Sequence, residues 1–209
     1  MVGHRYRFNV ERMFGRLNMY NVTADYRKYW FRQPISVATR VTHIGRYGQD
    51  AQNNLFWPLF LGYPGFMRGF DYNSLYSIRN EIFDEAGNFS FEKLQGTRLL
   101  VGGLELKVPF TGPERLALIS SGFFFTELNW FLDAGIAWND NSTLVFERRD
   151  QDLTDPIVRT DYRFPVFSTG PSIRINLFGA LVIEPYYAIP FSLTDRWPGV
   201  WGINFWPGW

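Results

Sequence analysis

The sequence predicts an all-β fold, an antiparallel transmembrane β-barrel. Aromatic residues make up 19% of the 209 residues, and the 46% apolar content is spread thinly enough to leave the mean hydropathy at -0.18. A membrane-spanning helix needs about 20 consecutive apolar residues. The longest nearly apolar stretch, 128–138, is interrupted by Asn129 and Asp133. A barrel strand needs only about ten residues that are apolar at alternate positions, so composition and pattern together favour spanning strands.

The first three strands are predicted at residues 4–13, 20–27 and 35–42, where apolar and polar residues alternate. A short turn at 32–34 precedes the third strand. Polar or charged residues occupy most of the intervening positions. The apolar faces consist of Tyr6, Phe8 and Val10, then Tyr20, Val22, Ala24 and Tyr26, and then Ile35, Val37 and Val41.

The fourth and fifth strands are predicted at 97–108 and 127–138. Their polar faces include the acidic residues Glu105 and Asp133. In a barrel the polar face points inward, so both carboxylates are expected in the lumen. The opposing apolar positions are Leu100, Leu104, Leu106 and Val108 in the fourth strand and Leu128, Trp130, Leu132, Ala134, Ile136 and Trp138 in the fifth.

The last three strands are predicted at 172–177, 181–189 and 201–205, with Glu184 on the polar face of the middle one. Several of the eight segments exceed the five or six residues usual for strands of a soluble sandwich. Their polar faces mix charges of both signs with Gly and Ser, as expected of a hydrated lumen, and Trp and Tyr collect near segment ends. A soluble β-domain is the alternative fold on pattern alone.

Loop lengths give a second indication of a barrel. The two longest connections, 48–95 and 139–164, fall on one side of the predicted sheet, and the tight links 32–34 and 178–180 fall on the other. The long connections follow odd-numbered strands and the tight links follow even-numbered ones, so the end of the eighth strand, and with it the C-terminus, is expected on the side of the short turns. The 48–95 loop is rich in Phe, Trp and Gly, so we expect it to fold back into the lumen and dock there, with a short hairpin at 83–91.

Several function classes lack the residues they need. The sequence contains no cysteine and only His4 and His43, and it shows no serine-hydrolase elbow, zinc-protease motif or phosphate-binding glycine loop. The net charge is +1 without a Lys/Arg-rich run, which disfavours nucleic-acid binding. We therefore expect a protein without catalytic activity, metal or cofactor.

The segment 61–70, Leu-Gly-Tyr-Pro-Gly-Phe-Met-Arg-Gly-Phe, resembles the Arg-Gly-Phe/Tyr motif in the inserted loop of the Omp85 superfamily. This superfamily comprises outer-membrane assembly factors, two-partner secretion transporters and related bacterial surface antigens. The resemblance continues in the family's order through 103–109, 131–138, 170–191 and 201–209. It spans nearly the whole chain.

The resemblance implies a sixteen-stranded barrel of which the eight predicted strands are the last eight. Residues 1–209 would then be the C-terminal half of the barrel domain, with 48–95 as the loop insertion and with further strands and soluble domains upstream. Residues 1–15 lack the apolar run of an export signal, which also favours a fragment of a longer protein. A self-contained eight-stranded barrel is the alternative by strand count.

The resemblance also implies that the motif Arg68, Gly69 and Phe70 docks in the lumen, with Arg68 against Glu105 and Asp133. A buried guanidinium needs carboxylate partners. The alternative is a solvated loop arginine beside two acids that line a wet channel. Ion pairing to Arg68 would keep both acids ionised, which disfavours their use as a general-acid pair.

The C-terminal strand, with Trp201, Ile203, Phe205 and the terminal Trp209, is similar to the aromatic terminus of outer-membrane proteins. In this family it closes the barrel at a seam that handles client polypeptides, and Pro207 would weaken its ladder. The resemblance thus implies assembly or insertion of proteins, or polypeptide translocation, in the outer membrane of a Gram-negative bacterium. The implied partners are lipids and client chains. A passive pore, or a membrane anchor for an upstream domain such as a hydrolase, is the alternative.

Overall fold

The computed structural model describes residues 2–63, 65–77, 91–114, 117–122, 124–146, 162–177, 180–192 and 196–207. Within these ranges one antiparallel sheet of eight long strands dominates, and each strand pairs with the next along the chain. The prediction of an all-β antiparallel fold is therefore confirmed. The strands are β1 (Gly3–Met13), β2 (Met19–Arg32), β3 (Ile35–Tyr47), β4 (Arg98–Gly112), β5 (Phe124–Trp138), β6 (Val166–Leu177), β7 (Leu181–Ser192) and β8 (Val200–Pro207).

Each predicted segment corresponds to one of these strands, but some strands are longer than predicted. β3 continues to Tyr47 and β6 begins at Val166. Both extensions contain residues that interrupt a simple alternation, namely Gly45 in β3 and the Gly170-Pro171 pair in β6. Glycine and proline are usual in turns, yet Gly45 still pairs with Arg98 of β4, and the ladder to β5 continues through Gly170 and Pro171.

Alternate residues of each central strand face opposite environments. In β5, Leu128, Trp130 and Leu132 are exposed, whereas Phe131 and Asp133 are buried. β7 alternates in the same way along its whole length. We call the face that carries Asp133 the inner face and the opposite one the outer face. The apolar outer face matches the pattern that the sequence predicts.

The inner face is covered by the long connection between β3 and β4, residues 48–97, which we call the inserted loop. It contains a helix, Tyr72–Ser77, a 3-10 helix, Phe91–Leu94, and a two-stranded ladder between Leu59–Phe60 and Gln95–Gly96. The hairpin predicted at 83–91 lies almost entirely outside the described residues. The core cluster consists of loop and inner-face side chains: Phe60, Leu61, Met67, Phe70, Leu75, Leu94, Leu99, Val101, Phe131, Ala137, Val166, Tyr186, Ala188, Trp197 and Val200.

The other connections differ in length between the two ends of the sheet. The end that carries the inserted loop also carries a parallel ladder between Thr143–Leu144 and Tyr162–Arg163. At the opposite end, β2 and β3 are joined by a two-residue turn, while the link between β4 and β5 is longer and pairs Ile119–Ser120 in parallel with the end of β4. Neither helix of the described ranges is long and apolar enough to cross a membrane.

The sheet has two edges, β1 and β8, and no ladder joins them within the described residues. All eleven residues of β1 are exposed. The described part of the chain is thus an open sheet.

Candidate functional site

The inserted loop approaches the inner face through the motif Met67, Arg68, Gly69 and Phe70. Gly69 has a φ of +81°, and a Cβ atom there would lie 2.8 Å from the Cβ of Ala188 on β7. Glycine is required because the backbone adopts a left-handed conformation and lies directly against β7 at this point. Phe70 is fully buried and contacts the ring of Trp197 edge-on at 5.7 Å.

Arg68 extends from this turn into a set of three carboxylates. Its Nε and Nη2 donate to the two oxygens of Asp133 at 2.9 and 3.0 Å, which is a bidentate pair. Nη2 also lies 2.9 Å from Glu105 Oε1, and Nη1 lies 3.0 Å from Glu184 Oε1. We call Arg68, Glu105, Asp133 and Glu184 the Arg68 cluster. Its arginine is only 8% exposed.

Three strands supply the carboxylates, β4, β5 and β7. The strand between the last two, β6, contributes the small residue Ser172, whose hydroxyl donates to Glu184 Oε1 at 3.0 Å. A short side chain at this position leaves room for one guanidinium to reach across β6. The flat face of Arg68 also packs on the ring of Phe131, with Cζ 3.8 Å from the ring centroid.

The cluster continues into a wider network of alternating charges. Lys107 Nζ lies 2.8 Å from Glu105 Oε2, and Arg174 Nη2 lies 3.2 Å from Glu184 Oε1 and 3.6 Å from Glu105 Oε1. Each carboxylate of the Arg68 cluster therefore faces a cation. Burial lowers the pKa of Arg68, but the charges of Asp133, Glu105 and Glu184 outweigh this and hold the pKa above its ordinary value.

A buried ion pair gives little net stability by itself, because desolvation offsets the attraction. Removing one member leaves an uncompensated buried charge, which costs about 3–5 kcal/mol. The cluster is therefore suited to fixing the position of the inserted loop. No group of three or more His, Cys, Asp or Glu side chains in the described ranges is arranged to hold a metal ion.

The structure places the residues singled out in the sequence at two sites. Arg68, Gly69 and Phe70 come together with Glu105 and Asp133 in the Arg68 cluster and the turn beside it. The predicted residues of the C-terminal strand lie on the outer face, away from the Arg68 cluster: Trp201, Ile203 and Phe205 are 78%, 58% and 63% exposed. Trp209 lies outside the described residues.

Sequence reasoning missed part of the site. Glu184 was predicted on the polar face of its strand but not as a partner of Arg68, and Phe131 was predicted on the polar face of β5 without a role. The alternation along β7 shows only that Glu184 points inward. Its contact with Arg68 also depends on the loop path and on the small residue in β6, neither of which alternation reveals.

Fold and site together define a class of protein, an antiparallel β-sheet whose inner face is occupied by a long loop held through a buried arginine. Residues 1–208 match the family model described as the Omp85 superfamily domain. The chain belongs to the Omp85 superfamily, whose proteins are typically found in the outer membrane. A search of curated proteins and a search of solved structures each found no match.

Proposed function

We propose that this chain forms part of a transmembrane β-barrel in the outer membrane of a Gram-negative bacterium, where it assembles and inserts proteins or translocates polypeptides. The observation that carries the proposal is the family match over 1–208. Within the matched residues, Arg68 of the inserted loop forms ion pairs with Glu105 and Asp133 on the inner face of the sheet. We infer no catalytic role and no cofactor, because each carboxylate of the Arg68 cluster is engaged by a cation.

The outer face supports a lipid environment. Its exposed side chains form an apolar surface that spans successive strands, which is costly in water but favourable against hydrocarbon. This surface includes Val41, Leu100, Leu104, Leu106, Leu128, Trp130, Leu132, Ile173, Ile203 and Phe205.

The open edges support a larger barrel. Unpaired strand edges cannot remain in a bilayer, because each free N–H and C=O group there costs several kcal/mol. Strands beyond the eight described here would therefore pair with β1 and β8. We propose sixteen strands in all, with residues 1–209 as the C-terminal half of the barrel domain and the remaining strands and soluble domains upstream.

The seam at β8 offers a physical route for handling client chains. β8 has eight residues, whereas β4 and β5 have 15 each, so fewer ladder bonds close the wall at this edge. Opening costs correspondingly less here than in the middle of the sheet. A client segment in extended conformation would pair with the freed edge, while the docked loop keeps the inner face in place.

A disulfide across the seam tests this function. The chain contains no cysteine, so an Ile203→Cys variant can be paired with one engineered cysteine on the neighbouring strand of the complete barrel. The oxidised form should lose protein assembly or translocation, measured with a barrel reporter and a secreted substrate in vivo, and reduction should restore it. A passive pore or anchor would be unaffected by closure of the wall.

The matched control locks the wall away from the seam. Leu104 on β4 and Leu132 on β5 are directly paired on the outer face, so a disulfide between cysteines at these positions should leave activity intact. Full activity of the oxidised seam variant would eliminate the seam function and leave the pore or anchor alternative.

A further inference from the structure

We infer that Arg40 on β3 is a second anchor of the inserted loop, a positioning residue that holds the loop backbone where Arg68 can reach its carboxylates. This inference concerns docking and holds whichever transport activity the barrel has. Arg40 Nη1 donates to the carbonyl oxygen of Gly65, and Nη2 donates to that of Phe66 at 2.7 Å. These two consecutive carbonyls lie just before Arg68 in the chain.

The sheet is built to let Arg40 reach the loop. Its direct partner on β4 is Gly103, and a Cβ atom there would lie 3.7 Å from Arg40 Nε and 3.2 Å from Asp133 Oδ1. Because Gly103 has no side chain, no side-chain atom at this position of β4 separates the guanidinium of Arg40 from the Arg68 cluster. On the other side of the loop, a Cβ at Gly65 would lie 2.3 Å from the ring of Trp206 on β8. The loop segment Gly65-Phe66 therefore lies between Arg40 of β3 and Trp206 of β8.

Arg40 binds the loop by hydrogen bonds to main-chain carbonyls, whereas Arg68 binds the sheet by ion pairs to carboxylates. Among the described residues no carboxylate forms an ion pair with Arg40, so the loop carbonyls are its direct partners. If the loop left, this part-buried guanidinium would lose both acceptors. Hydrogen bonds to charged groups are among the stronger ones, so Arg40 should favour the docked loop.

Electrostatics alone predicts the opposite result, which makes the inference testable. Arg40 attracts Asp133 and Glu105 on the sheet and repels the like-charged Arg68 on the loop, and only the repulsion involves a residue of the loop. If Arg40 acted only through its charge, removing it would relieve repulsion and tighten the hold on Arg68. If Arg40 acts through its hydrogen bonds, removing it loosens the loop.

The test measures loop opening in the full-length protein in outer-membrane vesicles. Met67 is 3% exposed and packs on Gly135, so in a parent protein freed of any other cysteine Met67→Cys supplies a single thiol that a maleimide reaches only when the loop opens. In this background Arg40→Met should accelerate labelling about tenfold or more, as loss of two hydrogen bonds to a charged donor implies. Arg40→Lys, which can still bond one carbonyl, should accelerate it less.

The matched control is Arg27→Met. Arg27 is the direct partner of Arg40 on β2, but it pairs with Asp25 at 3.0 Å, so its removal should leave labelling unchanged. Unchanged or slower labelling in Arg40→Met overturns the inference. Should Arg40→Met fail to insert, judged by loss of its heat-dependent shift on a gel, Arg40→Lys decides alone, and labelling equal to the parent overturns the inference.

A double variant tests whether Arg40 positions Arg68. If it does, Arg40→Met should add little to the labelling rate of Arg68→Ala, because one loop position depends on both residues. Fully additive effects would show two independent contacts and would overturn the positioning role. Since labelling reports docking without client protein, a failure of the transport proposal would leave this result unaffected.

Discussion

Every side-chain nitrogen of Arg68 faces a carboxylate, and the flat face of the group lies on Phe131. A lysine carries a single ammonium on a flexible stem and cannot bridge three strands at once. The planar fork of arginine is therefore the property that the site uses, together with its charge. This explains why one residue can tie the inserted loop to β4, β5 and β7.

Removing either side of the Arg68–Glu184 contact should release the inserted loop. Arg68→Ala leaves three buried carboxylates without their shared cation, and Glu184→Gln keeps the shape of its side chain but removes the charge. Breaking such a buried pair costs about 3–5 kcal/mol. We expect faster protease cleavage within the loop and a lower unfolding temperature in both, with little further effect of Glu184→Gln in the Arg68→Ala background.

The control for this prediction is Asp140→Asn, which removes an exposed carboxylate that pairs with Arg98. Exposed pairs contribute at most about 1 kcal/mol, so its cleavage pattern should match that of the parent protein. A parent-like cleavage pattern in Arg68→Ala would contradict the role of Arg68 as an anchor of the inserted loop.

The residues of the site differ in how far sequence could predict them. Arg68, Glu105 and Asp133 were reached by matching family motifs, and strand alternation placed both acids inward. Alternation also placed Glu184 inward but could not choose its partner, because that choice depends on how strands pack against the loop. Arg40 donates to main-chain carbonyls, which every residue has, so the identity of the loop residues does not predict this contact.

At the scale of elements, the turn at Gly69 allows a comparison of two glycines. Gly69 and Gly15 both have positive φ, +81° and +112°, but a Cβ atom at Gly15 would meet nothing within 4 Å. An alanine at either position costs about 1–2 kcal/mol of backbone strain. Only Gly69→Ala adds a collision with β7, so it should destabilise the protein more than Gly15→Ala does.

The measurement is the loss of folded signal on heating or in denaturant, together with cleavage within the inserted loop. Gly15→Ala lies in the link between β1 and β2 and should leave loop cleavage unchanged. Equal effects of the two substitutions would mean that backbone conformation alone matters and that β7 yields to the added methyl group.

Strands and loop also differ in how far sequence could predict them. Period-two alternation located all eight long strands, because each central strand lies between unlike environments. It failed where glycine or proline enters a ladder, as at Gly170-Pro171 within β6, so the residues before this pair were not predicted as strand. The internal path of the inserted loop could not be predicted, since its contacts are to distant strands and follow no period.

At the scale of the whole molecule, the two unpaired edges determine how the 209-residue chain behaves when it is expressed alone. We expect the 209 residues expressed alone and refolded in detergent to associate through β1 and β8, because neither edge finds a partner within the sheet. Light scattering should show oligomers, and the gel shift on heating typical of closed barrels should be absent. A homogeneous, protease-resistant monomer with that shift would contradict the sixteen-stranded proposal.

The position of the Arg68 partners along the chain has a consequence for the order of folding. Asp133 and Glu184 follow Arg68 by 65 and 116 residues, so the loop precedes most of the wall that holds it. Contacts of such long range form late, since chain closure must come first. Glu184 is the last of the three carboxylates along the chain, so the contacts of Arg68 are complete only after β7 has joined the sheet.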